Sequence, residues 1–434
     1  MMHIKMKKVS IFWFRRDLRI EDNHGLFQAL SQSEPVLPLF IFDTNILDRL
    51  PSKKDGRVEF IHQAIIRLNE AIGGHLCVKL GNPIDVFKDL LKEWEVVRIY
   101  TNHDYEGYGL NRDASVSQLA SDNQIEFRTF KDQVVFEKDE VLSSAGTPYT
   151  VFTPYSRKWK ALLAESVLPH FPSAEWNHYV SDTFVLPSLA EIGFEPSGLV
   201  FPTSKVNDEL IKAYAQDRDF PAKPGTSRLS VHLRFGTVSI RSLVRQAMGK
   251  SEVWLNELIW RDFYFNILHH FPHISAGHSF RKEYDRMKWR NNEEEFKAWC
   301  EGRTGYPIVD AGMRELNATG FMHNRVRMIV ASFLVKHLLI DWRWGEAYFA
   351  EKLLDFDFAA NNGGWQWAAG SGCDAAPYFR VFNPTLQTQK FDQSLAYIKK
   401  WVPELQEFTY PAPLVNHEFA RARVLAAYKE ALGK

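Results

Sequence analysis

Cysteine is scarce in this chain: Cys77, Cys300 and Cys373 are the only three in 434 residues, and no two stand at metal-ligand spacing. A disulfide framework and a structural zinc site are therefore not expected. Net charge is absent as well, with 53 Lys+Arg against 53 Asp+Glu, so this is not a protein that coats any polyanion. Nor is there a long hydrophobic run. The longest apolar stretch, 328–340, is interrupted by Lys336 and His337 and is too short to cross a bilayer. The opening residues are basic but lack the apolar region and small-residue cleavage site of a signal peptide. The expected setting is reducing and cytoplasmic. No G-x-G-x-x-G follows the first strand-like segment, where Trp13-Phe14-Arg15-Arg16-Asp17 stands instead. A dinucleotide on that turn is not indicated.

Aromatic residues, by contrast, are plentiful. They make up 14% of the chain, with 13 Trp and 32 Phe. A large helical core accounts for such a share, and so does a site that stacks planar rings. The charge balance also hides an asymmetry: residues 211–290 carry fourteen Lys/Arg against seven Asp/Glu. A local excess of that kind attracts a phosphate backbone to one face, or simply solvates a helical surface.

Along the chain, short β-branched or aromatic runs at 9–14, 36–42, 76–80, 97–101 and 125–130 alternate with helical patterns, the clearest at 56–72. Strands separated by helices imply an α/β domain with a five-stranded parallel sheet, Rossmann-like, over 7–131. A Pro-rich interdomain linker, with a helix at 155–166, follows over 132–201. From 202 to 434 the strand signal fades and an all-α domain is expected.

Five segments of the second domain carry chemistry. Gly225-Thr226-Ser227-Arg228-Leu229-Ser230 offers hydroxyls and free amides ahead of a helix, a setting for phosphate or for plain capping. In Trp254–Tyr264, helical spacing puts Glu257, Trp260 and Arg261 side by side. That trio suits a stacked ring with hydrogen-bonding edges, although a surface pair of Glu257 with Arg261 satisfies the same spacing. Gly320–Met328 sets Asn324, Arg325, Arg327 and Met328 on a helix otherwise apolar through Leu339, and an Arg there requires a carboxylate partner. Asp355–Trp367 crowds two acids, two asparagines, two glycines and two Trp into thirteen residues. Small residues let backbone approach a ligand, amides read polar ring edges, and Trp stacks. Asp374–Pro384 is a rigid loop with one projecting cation, Arg380.

In order and spacing, these segments and the opening Trp13-Phe14-Arg15-Arg16-Asp17-Leu18-Arg19 resemble the photolyase/cryptochrome family, most of all the class I cyclobutane pyrimidine dimer photolyases of bacteria. The resemblance runs from about Lys7 to Trp401-Val402-Pro403-Glu404-Leu405. It implies a monomeric cytoplasmic DNA-repair lyase with no obligate protein partner and no membrane. Its reduced FAD, once excited by light, passes an electron to a flipped-out lesion in ultraviolet-damaged DNA. A dimer that pairs poorly is cheap to extrude, and photolyases are themselves a standard example of base flipping. Tyr214 and Thr226, Ser227, Arg228, Leu229 and Ser230 would hold the FAD phosphates. Trp254, Glu257, Asn324, Arg327, Asp355, Asp357 and Asn361 would surround the rest, with Arg327 and Asp355 as an ion pair. Glu257, Trp260, Asn324, Met328 and Trp367 would line the catalytic cavity. Arg218, Arg261, Arg325 and Arg380 would face DNA phosphates. Trp365, Trp342 and Trp289 would relay electrons to the flavin. No metal is implied.

Members acting on (6-4) products carry a histidine pair where this chain has Asn324 and Met328. His323, one helical step away, should not replace it. Phe321 stands where many relatives carry Trp. Tyr105-Glu106 is similar to the acidic contact of folate-binding members, so an antenna chromophore, methenyltetrahydrofolate or a deazaflavin, is a further expectation of unspecified identity. The alternative within the family is a cryptochrome, a blue-light signalling flavoprotein.

Overall fold

A computed structural model describes residues 6–433. Five strands, β1 (Lys8–Phe14), β2 (Val36–Asp43), β3 (Cys77–Gly81), β4 (Glu95–Asn102) and β5 (Glu126–Phe130), form one parallel sheet in the order β3-β2-β1-β4-β5. Every strand falls within two residues of its expected position at either end. The burial pattern explains the order. All of β2 and all but the first residue of β1 are buried, whereas β3 and β5, at the edges, are mostly half-exposed. Central strands covered on both faces need continuous apolar runs, and those two have them.

The connecting helices begin where the sequence supplies caps. Asn23 caps His24–Leu30, Asp55 caps Gly56–Ala71, and Asn82 caps Pro83–Glu93 with Pro at the first helical position. Trp13, Leu39, Ile99, Phe87 and Val116 lie in the core of this unit.

The chain folds as two compact units, and their boundaries differ from those expected. One gathers Met1–Glu137, Ala161–Ser204 and Leu229–Met248; the other gathers Lys138–Lys160, Lys205–Arg228 and Gly249–Lys434. The expected 132–201 linker is thus divided between the units, its helix running Phe152–Glu165 rather than 155–166. The helices Ser230–Phe235 and Ile240–Ala247, counted in the sequence with the α domain, belong to the α/β unit. Electrostatics accounts for the second helix. Arg241 is buried, its Nε donates to Asp22 at 3.1 Å and its Nη2 donates to Asp132 at 2.8 Å, while Arg19 donates to the same Asp132 at 2.8 Å. The basic excess of 211–290 is consequently not one patch, since Arg234, Arg241 and Arg245 spend their charge on acids inside the α/β unit.

The second unit is helical, as expected. Its core centres on Trp299, Val309, Met313, Val326, Val330 and Leu334. The apolar helix predicted to run through Leu339 does not continue that far. It ends at Ser332 and gives way to a single π-helical turn, Phe333–His337. The turn carries two buried polar groups whose bonds run sideways: Lys336 Nζ donates to the Ala369 and Tyr378 carbonyls, and His337 Nε2 meets His417 Nδ1 at 2.9 Å. Among the described residues no helix is long and apolar enough to cross a membrane.

Candidate functional site

Within the helical unit, five helices bring polar and aromatic groups together: α1 (Asp208–Asp217), α2 (Glu252–His270), α3 (Asn324–Ser332), α4 (Trp342–Lys352) and α5 (Phe358–Ala369). Ser251 caps α2, and nineteen residues without Gly or Pro follow. Its positions 257, 260 and 264 fall on one face, so Glu257, Trp260 and Tyr264 line a cavity of about 370 Å³. From α3 come Asn324, Arg327, Met328 and Ala331, again at helical spacing; from α5 and the residues before it come Asp355, Asp357, Asn361, Gly364, Trp365 and Trp367. Arg218, at the C-cap of α1, lines it as well.

Two glycines of α5 act differently. A Cβ on Gly363 would stand 2.2 Å from the Tyr264 ring, so this glycine permits α2 and α5 to touch. A Cβ on Gly364 would meet nothing within 4 Å and would project into the cavity instead. Gly364 keeps open a surface that a flat ring can approach.

The predicted ion pair is present: Arg327 Nη2 donates to Asp355 at 2.8 Å, and its Nε donates to the Met322 carbonyl at 2.8 Å. The other carboxylate oxygen of Asp355 is buried with no partner among the described residues. A buried acceptor facing a cavity is costly unless a ligand donor reaches it. Deeper in, Asn361 Nδ2 donates to the Glu346 carbonyl at 3.1 Å and Asn362 Nδ2 donates to the Glu346 carboxyl at 2.8 Å. Burial pushes the Glu346 carboxyl up to about 7 despite the Asn362 bond, which acts in the opposite direction.

Glu257 finds its cation in Arg218, which donates to it directly. Burial pushes the Glu257 carboxyl above the ordinary carboxylate range, and the Arg218 charge offsets only part of that rise. Trp260 stacks at 3.7 Å on Phe152, with 3° between the rings, and more loosely on Tyr264 at 5.5 Å. Sequence reasoning missed Phe152, which sits in the presumed linker; the only available signal was its aromatic neighbourhood, Tyr149 to Tyr155.

Other expected site residues lie outside the cavity lining. Tyr214 is half-buried beneath the Arg218 guanidinium, 5.3 Å from it, and Trp254 is buried within α2. The expected phosphate segment is split. Thr226, Ser227 and Arg228 belong to the helical unit, where Arg228 lies 3.9 Å over the Phe321 ring, whereas Leu229 and Ser230 belong to the α/β unit. Arg261 lies 4.8 Å over Phe265, and Arg380 is exposed. Arg325 donates to Asp219 at 2.7 Å. Arg218 and Arg325, expected to face phosphates, are thus both held by carboxylates of the chain.

His323, placed by the sequence one helical step from Asn324, is not among the residues lining the cavity. It is the N-cap of α3 and not part of the helix, and its Nδ1 accepts the Arg325 N–H at 3.2 Å. Burial depresses it to about 4. Of the three relay tryptophans, Trp365 lines the cavity, Trp342 is fully buried at the start of α4, and Trp289 is half-buried with its ring edge-on to Tyr428 at 6.3 Å.

In the α/β unit, Glu106 accepts from Arg16 at 2.8 Å and from Arg234 at 2.6 Å, and the Tyr105 hydroxyl bonds Glu137. The acidic contact expected for a folate is therefore already engaged inside the unit. Outside the cavity lining, Asp139, His269 and His270 bring ligand-type atoms within 4.8 Å of one another, but His270 Nε2 already lies 3.2 Å from the Lys138 carbonyl.

A parallel-sheet unit, a helical unit and an aromatic cavity holding a guanidinium–carboxylate pair define a protein that takes in planar, polar rings. The chain belongs to the DNA photolyase family: residues 10–174 match its DNA photolyase model and 254–409 match the FAD binding domain of DNA photolyase. The deoxyribodipyrimidine photo-lyase of Vibrio cholerae serotype O1 is 38% identical, covering 98% of this chain and 100% of its own length. Among solved structures, a class III photolyase from Agrobacterium tumefaciens superposes with a TM-score of 0.87 at 33% identity, with 100% of both chains covered. An archaeal photolyase from Sulfolobus tokodaii, described with two FAD molecules, superposes with a TM-score of 0.84 at 36% identity, covering 98% of this chain and 100% of that one. These likenesses reach the family; they do not single out class I.

The residues present fit FAD. The cavity is of ligand size, the free Asp355 oxygen would accept a ring N–H, Arg327 would offer a cation to ring carbonyls, and Gly364 leaves a face open.

Proposed function

We propose that this chain repairs cyclobutane pyrimidine dimers in ultraviolet-damaged DNA, in light, as a cytoplasmic monomer, with Arg327, Asp355, Asp357 and Asn361 holding FAD. One observation carries the reading: Glu257, Trp260, Met328 and Trp367 line the same cavity as the Arg327–Asp355 pair. When bound and reduced, FAD supplies the light-driven electron that opens the cyclobutane ring, and the electron returns to it afterwards. The protein's own work is positional. Trp260, backed by Phe152, and Trp367 present faces for two fused pyrimidines. Glu257, held in place by Arg218, accepts from their imide edges. The apolar walls formed by Ala331, Phe349 and Leu353 exclude water.

Asn324 and Met328 offer no proton donor that titrates near neutrality. Ring opening of a cyclobutane dimer needs only the electron, whereas a (6-4) product also needs a proton. The test is to illuminate reduced, FAD-loaded protein with oligonucleotides carrying each lesion separately. The expected result is restoration of the cyclobutane substrate alone. Failure on that substrate with flavin bound and reduced overturns the reading; restoration of the (6-4) substrate overturns the lesion assignment.

A further inference from the structure

Asp219 occupies an electrostatically unfavourable place. It follows directly on the C-cap of α1, where the unpaired carbonyls of the helix end disfavour an acid. Two cations hold it there. Arg325 Nη2 donates to it at 2.7 Å, and Arg218 Nε lies 3.8 Å away. All three side chains stay partly open to solvent, 39% for Asp219, 24% for Arg218 and 19% for Arg325.

These arginines reach the rim of the cavity. Arg218 lines it and donates to Glu257, and Arg325 Nη1 lies 3.8 Å from the sulfur of Met328, which also lines it. The Arg325 guanidinium is fixed 4.4 Å over the Phe391 ring, so it is placed whether or not Asp219 is charged. Two guanidinium groups and two carboxylates, Glu257 and Asp219, leave the rim with no net charge. A carboxylate and a phosphate each present two oxygens to a guanidinium fork.

We infer that Asp219 is a built-in competitor of the DNA phosphate: it occupies the phosphate-binding side of Arg325 and Arg218 in the free protein and gives it up when a backbone docks. The inference rests on the reading of these arginines as DNA contacts. Because intact and damaged strands present the same phosphates, Asp219 weakens binding to both alike. It limits the grip on DNA and leaves lesion recognition to the cavity.

The test uses the full FAD-loaded chain and a labelled duplex, intact or with one cyclobutane dimer, titrated between low and moderate salt. Asp219→Asn, Arg325→Gln and the double variant are compared, with Asp219→Glu as the charge-preserving control and flavin content and melting temperature as checks on folding. Asp219→Asn should bind both duplexes about five-fold tighter at low salt, the worth of an exposed ion pair. Its log–log salt slope should steepen by about 0.9, one more phosphate neutralised. The gain should shrink when Arg325 is already Gln, and Asp219→Glu should behave as wild type. Weaker binding, an unchanged slope, or a full gain without Arg325 overturns the inference. If Arg325→Gln alone leaves DNA affinity unchanged, the parent reading of that arginine fails and the inference falls with it.

Discussion

Replacing Glu257 with Ala should separate the two kinds of DNA contact at this site. In the structure its carboxylate lines the cavity and engages Arg218, whose Nε lies 3.8 Å from a second carboxylate, Asp219. Removing the carboxylate leaves the imide edges of an inserted lesion without their acceptor. An unsatisfied buried polar group costs about 1–3 kcal/mol, or roughly 5- to 150-fold in affinity. The same change frees a guanidinium, so the rim gains one positive charge and the attraction of any phosphate rises. Dimer-containing DNA should therefore bind roughly 5- to 150-fold more weakly, while intact DNA binds no more weakly than before, with a steeper salt slope. Glu257→Gln, which keeps an acceptor oxygen, should lose less than about tenfold by the same reasoning. Fluorescence anisotropy on matched duplexes at two salt concentrations measures all of these. An equal loss on intact and damaged DNA would refute the reasoning, since it would make Glu257 a structural support for Arg218 and not a reader of the lesion.

Other outcomes follow from the same geometry. Trp289→Phe should abolish light-driven reduction of oxidised FAD but leave repair by pre-reduced enzyme intact, as measured by flavin absorbance and dimer reversal; loss of both activities, or of neither, removes the relay. Glu346, raised by burial to about 7, is neutral in the fold at low pH and is forced to ionise in a buried site at high pH. Its stabilising contribution is full below the unfolded carboxyl value and is lost as pH rises through about 7. Glu346→Gln should therefore match wild type near pH 4.5 and melt higher at pH 8, by an amount worth about 1–3 kcal/mol; no difference between the two pH values counts against the assigned burial effect. Arg380→Ala, which removes an exposed cation, should weaken binding of intact and damaged DNA alike and flatten the salt slope by about one.

The sheet was legible because β1 and β2 are buried on both faces and so had to be continuous apolar runs. The cavity was legible where helical spacing decides neighbours, as with Glu257 and Trp260, or Asn324, Arg327 and Met328. That Arg327 needs a carboxylate followed from the cost of an unpaired guanidinium in an apolar helix, whereas Asp355 as its partner came from the family resemblance. What the spacing could not supply were partners from distant chain segments. Phe152 behind Trp260, Asp219 on Arg325 and Arg241 between Asp22 and Asp132 are separated from their partners by 106 to 219 residues. Periodicity carries no information at that range. The phosphate segment shows the same limit: its residues were identified, but not that a unit boundary runs between Arg228 and Leu229.

That interleaving has a consequence for how the protein is made. The polypeptide passes from one unit to the other five times, the last after Met248. A ribosome delivers the chain from its N-terminus, and most domains fold as soon as they have emerged. Here all five strands are out by Phe130, yet the guanidinium that closes the sheet unit's buried acids lies more than a hundred residues later, at Arg241. Until then Asp132, which Arg19 and Arg241 hold at about 2 against the opposing effect of burial, has only one of its two guanidinium partners. Losing the second charged hydrogen bond costs on the order of 1.5–3 kcal/mol, a sizeable part of the stability of a small domain. The first unit to begin folding therefore cannot finish until the chain has twice run through the other. A nascent chain stalled before residue 241 should remain protease-sensitive in its sheet, and one released just past Met248 should not.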